Sequence, residues 1–203
     1  MSAESTYVSD FDELHVLGSE LYQDYLQGKK TKEEVVEQCE NIFYHAYLQG
    51  YRLAKDDLDM TSDEYTYYQD YLDKHPEEIE KSVSKEIAGK TFSQRIIEHL
   101  ENLDGAPSIE KVMATEYHRN VNTGLQDFGT KYGKGLLKKW VTMDDDKVRN
   151  THDYLEGMTV GIDEEFYTYN GDHTYFPGEF GVEEEDINCR CRVALLKDNT
   201  VKK

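Results

Sequence analysis

Apolar residues recur at helical spacing through the first half of the chain. Thr31-Lys-Glu-Glu34 is a capping-box sequence, and after it Val35, Cys39, Ile42, Ala46, Gly50 and Leu53 repeat with Val36, Phe43 and Tyr47 beside them, which predicts a helix with one broad apolar face. Within that face Ala46, Gly50 and Ala54 form a row of small residues at i, i+4 and i+8, a surface that lets a neighbouring helix come close. Thr61-Ser-Asp-Glu64 opens another helix in the same way. Pro76 suits the first turn of a third, expected to run on through Ile87 and Ile96 to about Leu103, where Leu103-Asp-Gly-Ala-Pro107 punctuates the chain. A further helix is expected over 107–133, with Ile109, Met113, Tyr117, Val121, Leu125 and Phe128 on its apolar side.

Beyond Gly135 the pattern shortens. Leu136 to Thr142 reads as a strand, Asp145 to Leu155 as a helix, Phe166 to Tyr175 as a hairpin turning at Asn170-Gly171, and Cys191 to Leu196 as a last strand. The expected fold class is α+β: an N-terminal helical arm or bundle over 1–105, a small α+β domain with short antiparallel strands over 106–196, and a tail over 197–203.

Charge divides the chain at the same places. Residues 1–105 carry 24 acids and 10 bases, residues 106–143 carry 3 and 6, and residues 144–203 carry 15 and 7, for a net charge of −19. Such a molecule repels nucleic-acid phosphate and anionic lipid, so binding to free DNA is not expected. The basic exception is the middle segment, where Lys131, Lys134, Lys138 and Lys139 precede Trp140 and are expected to reach phosphate if the protein is held inside a DNA-filled container. No apolar run is long enough for a membrane helix, and the first ten residues lack the basic and apolar regions of a secretory signal. With three cysteines, at 39, 189 and 191, reduced thiols in a cytoplasm are the expectation.

Unusual residues concentrate between Trp140 and Arg192. A strand ending at Trp140 is followed by Asp145, Arg149 and His152, then Gly157 five residues after the histidine, and finally Asn188-Cys189-Arg190-Cys191. This ordered set resembles the phage Mu protein F-like minor head proteins, the phage head morphogenesis domain, whose pattern is a Lys-x-Trp strand, Asp-x-x-x-Arg-x-x-His, a later Gly and Asn-Cys-Arg-Cys. Thr115-Glu116-Tyr-His-Arg119 is similar to the Thr-Glu-x-x-Arg stretch preceding that domain, so the resemblance covers roughly 109 to 194. It implies a non-enzymatic head protein present in a few copies at the portal vertex or capsid interior of a virion assembled in a bacterial cytoplasm. The implied partners are a portal protein and a coat or scaffold protein, and the implied work is head assembly or the packaging and ejection of DNA.

Read chemically, Asp145, Arg149 and His152 would share one face if all lay on a helix, as a hydrogen-bonded cluster. His152 then serves either as a general base or metal ligand, or as a buried imidazole bonded to a carboxylate or carbonyl; the second reading is preferred. Cys189 and Cys191 would face the same way on a strand with Arg190 opposite, and two thiolates plus His152 and His173 would complete a tetrahedral zinc site. Structural zinc sites more often draw their thiols from a turn with two or more intervening residues, so packed thiols without a cofactor are preferred, and a disulfide between them would be strained. Asp144-Asp145-Asp146 superficially suits a metal-dependent nuclease, but acids at a helix start have the simpler role of favouring its N-terminus. Glu183-Glu184-Glu185-Asp186 reads as a solvated run or a face for a basic partner. The alternatives to a head protein are a metal-dependent nuclease or toxin-related enzyme, since the family's domain also occurs in long chains ending in toxin modules, and a helical adaptor resting on residues 1–105.

Overall fold

The computed structural model describes residues 3–87, 89–132 and 135–198, with side chains from Glu13 onward. Residues 199–203 of the expected tail, Lys134 and the final residue of the expected 107–133 helix lie outside the described residues. The fold is α+β, with helices α1 (Ala3–Leu26), α2 (Lys32–Asp57), α3 (Ser62–Lys74), α4 (Pro76–Val83), α5 (Phe92–Asn102) and α6 (Ala106–Tyr132) ahead of the strands. Strand β1 (Leu136–Val141), α7 (Asn150–Leu155), β2 (Thr159–Gly161), β3 (Phe166–Tyr167), β4 (His173–Thr174), α8 (Glu183–Asp186) and β5 (Arg192–Lys197) follow.

Local sequence explains the helix starts. Thr31 and Thr61 each accept from the backbone N–H three residues on, while Glu34 and Glu64 return a bond to the threonine N–H, closing both capping boxes. Pro76 occupies the first turn of α4. The expected run from Pro76 to Leu103 is instead two helices: α4 stops at Val83, Ile87 and Lys90 form a short bridge, and Thr91 with Gln94 makes a third capping box that restarts the chain as α5. The restart supplies partners for backbone N–H groups that a broken helix leaves open.

Helix α6 is the centre of the molecule. Its buried residues run all the way round, from Ile109 and Met113 to Asn122, Gln126 and Phe128, so no stripe is left for solvent over most of its length. Toward the N-terminal half it meets α2 at Gly50 and Gly124, whose backbones approach so closely that a Cβ on Gly50 would lie 2.8 Å from Leu125 N and 2.9 Å from Gly124 Cα. The expected small-residue contact is made there, and Tyr47 Oη donates to Asp127 at 2.7 Å beside it. Toward the strands, Asn122 Nδ2 donates to Cys191 O and its Oδ1 accepts from Val193 N, each at 3.0 Å, pinning the entry to β5. The buried apolar residues form one continuous cluster from Leu14 on α1 to Leu195 on β5.

The sheet has the order β2-β1-β5, antiparallel throughout, with Leu137 opposite both Gly161 and Leu196; β3 and β4 pair separately in the hairpin. Strand β1 alternates, turning Leu136, Lys138 and Trp140 inward. Lys138 therefore does not present its charge to phosphate. It is fully buried, donating to Gln126 Oε1 at 3.1 Å and Ile162 O at 2.9 Å between the rings of Phe166 and Tyr175. Lys131 is half-buried and paired with Glu78. At the far end of α2, Asp57 accepts from Arg192 at 3.1 Å and from Leu195 N at 3.0 Å, a clip between the helical half and the last strand.

Candidate functional site

The short α7 brings His152 to the site. Arg149 caps this helix rather than lying within it, and Asp145 sits earlier in a turn where its carboxylate accepts from Lys147 N. The expected helix from Asp145 therefore begins only at Asn150. The Asx-type turn satisfies the backbone that a longer helix would have used. Arg149 donates to Ile187 O, and Asp145 forks with Arg190 at 2.6 and 2.7 Å. These contacts fasten α7 and the turn before it to the chain arriving from α8. Asp144 and Asp146 are exposed and do not converge with Asp145 on a common point.

Asn188, in left-handed backbone with its N–H on Thr115 Oγ1 at 3.1 Å, turns that chain so that Cys189 and Cys191 face His152. The two cysteines precede β5 rather than belonging to it, yet their alternation is that of a strand, with Arg190 outward. His152 Nδ1 lies 3.5 Å from Cys189 Sγ and 3.4 Å from Cys191 Sγ. All three residues are buried, and none of the cysteines is in a disulfide. On the other side of the ring, Nε2 is 3.0 Å from Glu185 Oε2, outside good hydrogen-bond alignment, and Thr151 Oγ1 donates to the same oxygen at 2.7 Å. Phe180 stacks on the imidazole, and Trp140 meets it edge-on at 5.4 Å. Gly157 N donates to Trp140 O, its positive φ allowing the turn out of α7. The bond from the Cys191 thiol, aided by His152, holds the Cys189 thiol well below its ordinary range against the opposing effect of burial, while Cys191 is raised by the same shared bond.

His173 is not part of this group. It is exposed on the hairpin, 3.1 Å from Glu165 and stacked on Tyr167. Among the described residues, His152, Cys189 and Cys191 make up the one set of three or more His, Cys, Asp or Glu with ligand atoms close enough to share an ion, so no carboxylate cluster of nuclease type is assembled. The acidic run before them is not a solvated face throughout. Glu185 and Asp186 are buried, and Asp186 accepts from Phe180 N and Gly181 N at 2.9 and 2.8 Å. Burial pushes its carboxyl up to about 6. Glu185, Phe180 and Asn122 escaped the sequence reading because their partners are far away in the chain.

Glu116 belongs to a second buried network. Its two oxygens accept from Arg95 of α5 and from Arg119 Nε, the latter at 2.8 Å; Arg119 also donates to Ser82 O at 3.0 Å. Asn120 accepts from Ser82 Oγ at 3.1 Å. These bonds tie α4 and α5 to α6. Removing one partner would strand a buried charge, the costly way of breaking such a pair.

A helical layer is packed through one central helix onto a small antiparallel sheet, with buried Glu-Arg and His-Cys-Cys clusters at its joints. The profile of the family described as "Phage Mu protein F like protein" matches residues 77–194, more than half of the chain, and the chain belongs to that family. The family is one of phage head morphogenesis proteins. The match begins well before residue 109 and takes in α4 and α5, the helices carrying Ser82 and Arg95. A curated protein of Enterococcus faecalis (strain ATCC 700802 / V583), named NAD(+)--arginine ADP-ribosyltransferase EFV, is 42% identical over 66 residues, which is 32% of this chain and 13% of that protein. The chain thus spans a small part of that relative's length. No solved structure matches significantly. No helix of the described residues is long and apolar enough to cross a membrane.

Proposed function

We propose that this chain is a non-enzymatic minor head component that docks on the portal or on the inner face of the capsid and acts in head assembly or in the packaging and ejection of DNA. The observation that carries this reading is the family match over 77–194, within which the motif residues are used as fastenings. Arg149 holds Ile187, Asp145 holds Arg190, Glu116 holds Arg95 and Arg119, and Gly157 holds Trp140. Groups tied up in this way hold a shape for a partner to read. With a net charge of −19 and Lys138 buried, the partner is protein rather than free duplex.

Two exposed surfaces suit such docking. One is on the helical half, where Val16 and Leu26 of α1 and Tyr67 of α3 are each exposed; the other is the hairpin region, where Tyr154, Tyr167 and Tyr169 stand out from the surface. Co-expression with the portal protein of the same phage tests the reading. Co-purification is expected, together with negligible retention on duplex DNA near physiological salt. Val16→Asp with Tyr67→Asp should weaken capture if the helical half docks, and Tyr167→Asp with Tyr169→Asp if the hairpin does. Failure of the unaltered protein to co-purify with portal, coat or scaffold subunits would defeat the proposal.

The second reading, an enzyme, draws on the 42% identity to the ADP-ribosyltransferase. Incubating the purified chain with labelled NAD and candidate acceptor proteins tests it, and transfer of label would overturn the non-enzymatic assignment.

A further inference from the structure

We propose that His152 Nδ1 and the sulfurs of Cys189 and Cys191 are three ligands of a single Zn²⁺ ion. The proposal rests first on distance. With Zn–S of about 2.3 Å and Zn–N of about 2.0–2.1 Å, two ligands at the tetrahedral angle are separated by roughly 3.5 Å from sulfur to nitrogen. The observed separations are 3.5 and 3.4 Å.

The second ground is valence. When Nε2 carries the ring proton, Nδ1 has one in-plane lone pair and accepts one S–H well. Here two sulfurs stand at nearly equal distance from that one nitrogen, as a single ion shared by all three atoms requires. The third ground lies behind the ring. Glu185 Oε2 is 3.0 Å from Nε2 and is itself held by Thr151, so a carboxylate stands on the side of the ring away from the sulfurs. A carboxylate behind a ligating imidazole is the usual outer support of zinc sites.

Two soft sulfurs and an imidazole favour zinc over the oxygen-seeking cations. Phe180 and Trp140 pack against the imidazole, and all three ligand residues are buried. His173, on the exposed hairpin, takes no part. The ion would join α7 to the 188–191 segment at the point where Arg149 and Asp145 already fasten the same two pieces, and so would act as a structural staple.

The full-length chain, purified under reducing conditions from zinc-supplemented cells, should carry about one zinc per molecule by elemental analysis. After the metal is stripped, titration with Co²⁺ should give the visible bands of tetrahedral cobalt and thiolate-to-cobalt charge transfer, saturating at one equivalent and bleached by zinc. Cys189→Ser with Cys191→Ser should abolish the charge-transfer band, His173→Ala should leave it intact, and Glu185→Gln should keep it while weakening zinc binding roughly 10–100-fold. Absence of a charge-transfer band in the reduced unaltered protein would overturn the site, and this needs no variant to fold. A band that survives the double serine substitution, or one lost in His173→Ala, would overturn the ligand set.

Discussion

Replacing Lys138 by methionine tests whether the charge on the inner face of β1 is truly enclosed. Burial lowers the ammonium to about 8 from an ordinary 10.5, with Asp163, Glu165 and Glu164 opposing the shift. At about 1.4 kcal/mol per unit, the 2.5-unit difference corresponds to roughly 3 kcal/mol of folded-state cost that is fully present below pH 8. Between pH 8 and 10.5 the unfolded chain holds more protons at this site than the folded one, so stability rises with pH across that window. Lys138→Met loses this pH dependence. Its own cost is an unsatisfied Gln126 Oε1, about 1–3 kcal/mol, while Ile162 O keeps its bond from Gln126 Nε2 at 2.9 Å. Urea unfolding of both proteins at fixed ionic strength therefore has a defined outcome. The unaltered protein should gain on the variant by about 1 kcal/mol between pH 7 and pH 9, whatever the gap at pH 7, because tyrosine and cysteine titration is common to both. A gap that does not move with pH would mean that Lys138 titrates like a hydrated lysine and that the described burial is wrong.

Gly50→Ala should cost at least about 1 kcal/mol in unfolding free energy, since α2 and α6 must separate to admit a methyl group against backbone atoms even though alanine favours the helix by about 1 kcal/mol. A neutral or stabilising result would show that the two backbones are not in contact. For Asp186, raised by burial to about 6 from 3.8, the folded chain holds the extra proton between those values, so the contribution to stability falls as pH rises through them. The unaltered protein should lose about 2 kcal/mol relative to Asp186→Asn between pH 4 and pH 7 in denaturant titrations, and parallel curves would refute this. Deleting residues 1–105 removes the α2 side of the α6 contact and the Asp57 clip, so the remainder should melt at markedly lower temperature by calorimetry. An undiminished cooperative transition would instead establish the separate folding unit that the sequence pattern leads one to expect.

What was legible in the sequence is what local chemistry decides. The Thr31 and Thr61 capping boxes, Pro76 at a first turn, the small-residue face at Gly50 and the turn at Asn170-Gly171 all rest on neighbours within a few residues. The interruption between α4 and α5 was also written locally, in Thr91-Phe-Ser-Gln94, but the apolar spacing of Ile87 and Ile96 ran across it and suggested continuity. The charge of Lys138 argues for a place in solvent, whereas its two-residue spacing from Leu136 and Trp140 puts it on the buried face. Of the site, the recurrence of His152 with Cys189 and Cys191 could be read from the motif. Glu185 behind the imidazole, Asn122 on the Cys191 carbonyl and Asp57 on Arg192 could not, since each joins residues more than thirty positions apart that only the folded chain brings together.

A central helix buried on every side also sets where this protein has freedom to change. Nearly every residue from Ile109 to Gly129 of α6 answers to α1 and α2, to the ion network of α4 and α5, or to the sheet, so a substitution there disturbs at least one joint and has no neutral direction. The outer surface of α3, the exposed side of α1 and the tip of the β3–β4 hairpin carry no such obligation. Among relatives, sequence drift should therefore gather at those three places while α6 stays nearly fixed, giving a rigid spine with interchangeable faces.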